Sequence, residues 1–510
     1  MANLTLFNIS ICLVVALGSF GYGFGFGAFI TVIGEPGFYA YFELDRKSAS
    51  VILTTTMLNI YGATSAYTAS IIGAINSVFA GSAALGALAQ GWLGDWLGRK
   101  KALAVAGTWA LIGGALTTAS VSITMLIVVR ILQGFGLGMI IALVPLYITE
   151  VSPPHRRGIM TGLTCLSFGL GYVGCAFVSL GTYYSTNLTL QWRIPLETPR
   201  YLSWVGKNDE AWAVIQQIHR DPNDPTDTAA HAEYTQIIRQ VAFDKTQKSG
   251  YIQMFTRPSW RRRSLLAMFL MFASQATGVN SIAYYLVVIF PTLGLTGSAS
   301  LITYAVYAVV GTAAAFVAIF SIDAFGRRTL FLVGFPILAL DLLAEALLQW
   351  KFLATTDKAG NGACVAIIFL FIVLFQFIDG PSFVWSSEVF PTNIRAKGIG
   401  LTMFAYFVGF VTFSAPGPLG FRKIQWHMYL IYMSLCLVSW VLVYFFIPET
   451  RRLPLEEIGA LFGEEVMIHL TNDGLGIVEK EILEQDILPG NAATQKKEVG
   501  NAVHKEFLSA

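Results

Sequence analysis

The chain has 510 residues, 55% hydrophobic and only 13% charged, with 48 glycines and a formal net charge of +2. A soluble domain carries about 25% charged residues, so this composition excludes an ordinary soluble protein and predicts a polytopic membrane protein. The small net charge gives no ground for a nucleic-acid partner; the placement of the charges is what informs.

A spanning helix needs about 20 mostly apolar residues. In chain order such stretches lie at roughly 8–32, 70–92, 102–121, 124–148, 158–181, 264–291, 298–321, 329–350, 363–387, 397–417 and 427–447, about eleven in all. The expected fold class is all-α. The first stretch is too long for a cleavable signal peptide and lacks a basic start. Cys12, Cys165, Cys175, Cys364 and Cys436 all fall inside predicted spans, so they read as buried packing residues rather than a disulfide framework.

Basic clusters recur in every second loop: Arg99-Lys100-Lys101, Arg156-Arg157, Arg261-Arg262-Arg263, Arg327-Arg328, Arg395 with Lys397, and Arg451-Arg452. Short basic loops stay cytoplasmic, which places both termini inside. The count then fails at one point. Residues 182–191 should be outside and residues 203–263 inside, yet QWRIPLETPRYL, Gln191 to Leu202, leaves too little chain to cross between them. The charges ask for twelve crossings where hydropathy supplies eleven.

Two motifs repeat. GWLGDWLGRKK carries Asp95 and Arg99, and IDAFGRR carries Asp323 and Arg327. Then RILQGFGLG…PLYITEVSPPHRRG places an intramembrane Arg130, a ladder of Gly134, Gly136 and Gly138, and Glu150 seven residues before Arg157. GPSFVWSSEVFPTNIRAKG again sets Glu388 seven residues before Arg395. Ionisable groups at a membrane face are costly unless paired, so acids and arginines from different loops are expected to form ion-pair gates, or at least to fix loop structure. The glycines are expected to permit close helix packing. Repetition of both motifs points to two halves with solute bound between them.

These stretches, with ETPRYL, QATGVNSIAYY and PETRRLPLEEI, resemble the sugar porter family of the major facilitator superfamily, especially its fungal hexose and lactose-permease-like members, over residues 15–460. The resemblance implies two pseudo-repeated helix bundles and a membrane carrier of sugars or sugar-like solutes, with no enzyme activity and no cofactor. It also explains the short junction. In the family a WRIPL-like motif precedes the sixth helix and a PETPRYL-like motif follows it; here they are fused, as though that helix were deleted. The implied organisation is 1–196 as an N-terminal bundle of five spans, 197–263 as a cytoplasmic helical linker, 264–448 as a C-terminal bundle of six spans, and 449–510 as a cytoplasmic tail. Residues 54–70 read as an insertion in the first outside loop.

The resemblance assigns solute contacts to Gln275 and Asn280, whose amides offer donors and acceptors together, with Ser274, an outer-gate pair Tyr284 and Tyr285, and Phe383 or Trp385 at the stacking position. It assigns ion-pair roles to Glu197 and Arg200 of ETPRYL. Other family positions depart: Cys165, Gly311, Tyr406 and Phe407 stand where polar or tryptophan partners are usual. Proton-linked members carry an aspartate in the first helix where this chain has Gly23, so facilitative movement is expected; Glu35 and Asp379 are the other acids considered. Plasma membrane is the expected location. Two other functions remain: a non-transporting sensor of the same fold, and a non-functional product lacking one helix. No catalytic constellation or metal-ligand spacing is present, the tail is expected to be partly helical near 475–486, and Asn187 opens a glycosylation sequon. Oligomeric state is not legible.

Overall fold

The computed structural model describes residues 6–33, 35, 38, 41–42, 66–152, 157–183, 250–283, 286, 298–352, 355, 357–391, 393–451, 457–463, 468–470 and 477–479. Each of the eleven expected apolar stretches contains a helix among its described residues. The N-terminal half contains α1 (Leu6–Val32), α2 (Ala66–Leu97), α3 (Arg99–Thr118), α4 (Ile123–Val151) and α5 (Arg157–Tyr183). A short α6 (Tyr251–Thr256) leads into α7 (Pro258–Ala276), α8 (Ser298–Phe325), α9 (Arg327–Phe352), α10 (Lys358–Glu388), α11 (Arg395–Ser414), the short α12 (Gly417–Ile424) and α13 (His427–Phe446). Ten of the described helices are long and apolar enough to cross a membrane. The long helix α3 is not among the ten.

Sequence explains several boundaries. Ser122 caps α4 by accepting from Met125 N at 3.2 Å, and Asp357 caps α10 by accepting from the amides of Ala359 and Gly360. Gly98 and Gly326 hold φ of 78° and 90°, so both copies of the acid-x-x-Gly-Arg turn break their helices at a left-handed glycine. The proposed duplication is thus visible in backbone as well as in letters.

Three expectations are corrected. The span placed at 264 begins at Pro258, because proline suits the first helical position and Arg263 is fully buried among neighbouring carbonyls rather than exposed in a loop. Of the stretch 54–70 expected in an outside loop, Ala66–Ser70 are helical and belong to α2. The tail is extended where a helix was expected: Ile477–Glu479 pairs antiparallel with Ile468–Leu470, the Ile-Val run favouring a strand. The expected missing sixth helix, and the crossing near Trp192, lie outside the described residues.

Within the first half α1 packs on α5, α2 on α4 and α3 on α4; in the second, α7 packs on α11 and α9 on α10 and α13. The halves meet along two seams, α2 against α11 and α5 against α8. Small residues allow the closest crossings: a Cβ on Gly86, Gly134 or Gly138 would overlap backbone oxygens of Phe135, Phe79 and Ala83. Large apolar side chains such as Val128, Phe177, Phe316, Leu340 and Phe445 remain exposed on the outside. An apolar outer belt over fully hydrogen-bonded helices is what lipid requires. The protein is an integral membrane protein. All five cysteines are buried and free.

Candidate functional site

A cavity of about 110 Å³ lies where the two halves meet, lined from α1, α5, α8, α10, α11 and the residues just after α7. The last contribution depends on one residue. Gly278 takes φ of 82°, and the ring of Tyr432 fills the space where a Cβ would stand. The chain therefore breaks after Ala276 and restarts, turning Asn280 into the cavity. The QATGVN motif needs its glycine for both reasons.

Of the residues assigned to solute, Asn280 lines the cavity, and its amide donates to Gln275 Oε1. Gln275 stands behind it, 1% exposed, with its own Nε2 making no hydrogen bond. Ser274 is buried and donates to Asp379 Oδ1 at 3.0 Å. Phe383 packs beneath the cavity in an aromatic series that joins the halves: Tyr22 to Phe168 at 5.2 Å, Phe168 to Phe383 at 5.6 Å, Phe383 to Tyr406 at 5.7 Å. Trp385 is turned away, its indole N–H on Pro448 O at 3.1 Å; of the two stacking candidates, only Phe383 is near the cavity. Tyr284 and Tyr285 lie outside the described residues. Of the four departures from the family pattern, Cys165, Gly311 and Tyr406 line the cavity, while Phe407 packs against Tyr406 at 5.4 Å.

Sequence reasoning did not assign Gln376, Tyr304, Tyr307 or Thr312 to the lining, where the structure puts them. Their only signal was polarity within an apolar span, which serves helix packing equally well. Asp379, considered only as a proton carrier, also lines the cavity. Glu35 does not; it is fully buried at the end of α1 and accepts from Ser179 Oγ at 2.6 Å.

The basic-loop end of the molecule is closed by ion pairs. Arg99 grips Glu150 through two nitrogens at 2.9 and 3.0 Å and reaches Asp95 at 3.4 Å. Its counterpart Arg327 pairs with Glu388 at 2.9 Å and Asp323 at 3.0 Å. The two halves thus repeat one pairing, the arginine of the turn with the glutamate of the later motif. Arg395 instead donates to Phe390 O at 3.1 Å. Arg130 is buried, lies over the rings of Phe29 and Phe79 at 4.5 and 5.1 Å and donates to Gln133. The side chain of Arg157, and all of Glu197 and Arg200, lie outside the described residues.

Two contacts at this end cross between halves. Lys397 pairs with Asp95, and Asp323 Oδ2 accepts from Ile159 N at 3.0 Å. Tyr251 of α6 adds a third tie, donating to Leu88 O at 2.6 Å; burial pushes its phenol well up, so it stays a donor. Glu449 accepts from the amides of Arg327 and Arg328 at 3.0 and 2.9 Å, an acid on the positive start of α9. These contacts tie the two halves together at that end, and the cavity lies between the halves.

Two pseudo-repeated helical halves around a mid-depth cavity define a membrane carrier of the major facilitator type, not an enzyme. The family model described as "Sugar (and other) transporter" matches residues 11–196 and 197–462. The chain belongs to this family, the sugar porters of the major facilitator superfamily. The two matched pieces abut between Leu196 and Glu197, the junction at which the sequence places a deleted helix. Among similar proteins, the MFS-type transporter criB of Aspergillus cristatus is 30% identical over 432 residues, covering 78% of this chain and 86% of that protein. The low-affinity glucose transporter HXT4 of Saccharomyces cerevisiae is 29% identical, covering 89% and 81%. A solved structure of the proton:xylose symporter XylE of E. coli, bound to 6-bromo-6-deoxy-D-glucose, superposes with a TM-score of 0.73 at 20% identity, covering 89% of this chain and 99% of that one; at that identity it supports the fold alone.

Proposed function

We propose that this protein moves a sugar or sugar-like solute across a membrane by alternating access, without proton coupling. The observation that carries the reading is the cavity at the seam, an aromatic and apolar pocket with a few polar side chains including Asn280, Gln376 and Asp379, beside an end latched by Lys397–Asp95 and Asp323–Ile159. Breaking the latch would open the cavity to that end while the opposite end closes. Residues 1–196 and 264–448 would be the two moving bodies and 197–263 the bridge between them. The basic end would be cytoplasmic by the positive-inside rule, in the plasma membrane, with Asn280, Gln275 and Ser274 serving the solute site.

Facilitative movement rests on Gly23. A proton carrier must titrate and face both solvents in turn, and α1 has no acid at that position. Nor is there room for one, because a Cβ on Gly23 would overlap the carbonyl of Phe168. The variant Gly23→Asp is therefore expected to lower the melting temperature by several degrees rather than to introduce proton-driven uptake. Thermal unfolding read beside uptake with and without a protonophore checks both parts.

The direct test is uptake of labelled D-glucose in cells stripped of their own hexose carriers. Wild type is expected to equilibrate the sugar, and Asn280→Ala to cut uptake about tenfold or more, through loss of an amide that hydrogen-bonds the solute. Folded protein in the membrane that moves no sugar would favour the second reading. That reading, a sensor or an inactive product, rests on the fused WRIPL–ETPRYL junction. Sequencing the transcript across the codons for Trp192 to Thr198 addresses it directly: roughly 25 additional apolar codons, one helix's worth, would restore a twelve-helix carrier.

A further inference from the structure

The cavity has an electrostatic sign that no sugar-porter motif in this chain assigns. Asp379 lines it from α10, and of the described lining residues none is basic. Its Oδ1 accepts a hydrogen bond from the Ser274 hydroxyl; the described residues make no other hydrogen bond to this carboxylate. Ser274 is fully buried and is itself fixed by the turn of α7, where Thr277 donates to its carbonyl at 2.7 Å. The carboxylate is therefore held as an acceptor at the edge of the cavity. Asn280 and Gln376 line the same cavity and supply amides that can both donate to and accept from a polar solute.

We propose that Asp379 sets the charge selectivity of the solute site, so that the cavity takes neutral polyhydroxyl and ammonium-bearing sugar-like solutes and rejects sugar acids. This deepens the carrier reading and rests on it. A neutral sugar gives Asp379 hydroxyl donors. An amino sugar gives Asp379 a charge-assisted donor, roughly twice as strong as a neutral one. A sugar carboxylate would stand a few ångströms from Asp379 with no arginine, lysine or histidine among the described lining residues to compensate either charge. Removing two like charges from water without a counter-ion is among the most unfavourable arrangements a protein site can hold. The discrimination comes from repulsion rather than from better contacts to the preferred solute, which is how a small site achieves large selectivity ratios.

The test uses the purified full chain in lipid nanodiscs and three probes of nearly equal size: D-glucose, D-glucosamine at pH 6.5 and D-glucuronate. Each would be titrated by thermal stabilisation and by competition against labelled glucose. Wild type is expected to bind glucosamine at least as tightly as glucose, and glucuronate about a hundredfold more weakly. That ratio is what like charges a few ångströms apart produce at the effective dielectric of a protein site. Asp379→Asn keeps size and hydrogen bonding but removes the charge; it should bring the three probes within a few-fold of one another. Asp379→Glu should restore the wild-type order. Glucuronate binding as well as glucose in wild type, or an unchanged order in Asp379→Asn, overturns the proposal. If folded wild type binds none of the three, the carrier reading itself fails and this inference falls with it. Glucose binding with the wrong charge order sinks only the role of Asp379.

Discussion

Replacing Arg327 by methionine is expected to destabilise the protein by about 3–5 kcal/mol, whereas the equivalent change at Arg99 is expected to cost about 1 kcal/mol or less. The two arginines occupy the same place in a repeated motif and grip the equivalent glutamate at the same 2.9 Å. They differ in burial. The side chains of Arg327 and Glu388 are 2% and 4% exposed, those of Arg99 and Glu150 24% each. Removing Arg327 strands the Glu388 carboxylate with the Thr450 hydroxyl as its remaining hydrogen-bond donor, and an uncompensated buried charge carries the large penalty. Glu150 without Arg99 is partly hydrated, and an exposed pair holds little net energy. Thermal unfolding of the two single variants in matched detergent checks the difference. A double variant, Arg327→Met with Glu388→Leu, should regain part of the loss, because it removes both charges of the buried pair and leaves only Asp323, 21% exposed, without its arginine. Equal costs at Arg99 and Arg327 would show that motif position, not burial, governs these pairs.

The second large effect is expected at Gly138, where alanine should cost about 1–3 kcal/mol. A Cβ there would lie under 3.0 Å from the backbone carbonyl of Ala83 on α2, and neither backbone can yield without parting α2 from α4. Gly81 is the internal control. It sits on α2, exposed, with nothing within 4 Å of an added Cβ. There alanine should stabilise by about 0.5–1 kcal/mol, since glycine in a helix interior is entropically unfavourable. Opposite signs for one substitution at two glycines of adjoining helices would show that the ladder is retained for close approach rather than for flexibility. Melting temperatures of the two variants decide it.

Much of the fold was legible because membrane helices are written locally. Each stretch of about 20 apolar residues must satisfy its own backbone and so declares itself without reference to the rest of the chain. The repeated turn was also readable, and Gly98 and Gly326 carry it into the backbone. Boundaries were less certain where one residue served two roles. Arg263 reads as a loop cation yet is buried inside α7, donating to Val389 O and Gly459 O; both acceptors are remote in sequence. The tail strand at Ile477–Glu479 was misjudged because a helical charge pattern and a β-branched pair overlap there.

The site was legible only in part, for a different reason. QATGVN identified Asn280 because its glycine and amide sit in one short stretch. Tyr307 and Gln376 left no comparable mark, and nothing set Asp379 apart as a solute contact. Each is a single polar residue in an apolar helix, and such residues hold helices together as readily as they meet a solute.

By itself, the sequence determined that this is a helical membrane protein of two repeated halves belonging to a carrier family. Hydropathy, charge alternation and short motifs are properties of contiguous residues, so no packing was needed to read them. Only the tertiary structure decided which polar side chains converge on the cavity, that Phe383 rather than Trp385 underlies it, and that Arg327 is buried while its twin Arg99 is not. Those outcomes depend on the facing of helices far apart in the chain, and a side chain's orientation around its own helix is settled by the neighbours it packs against.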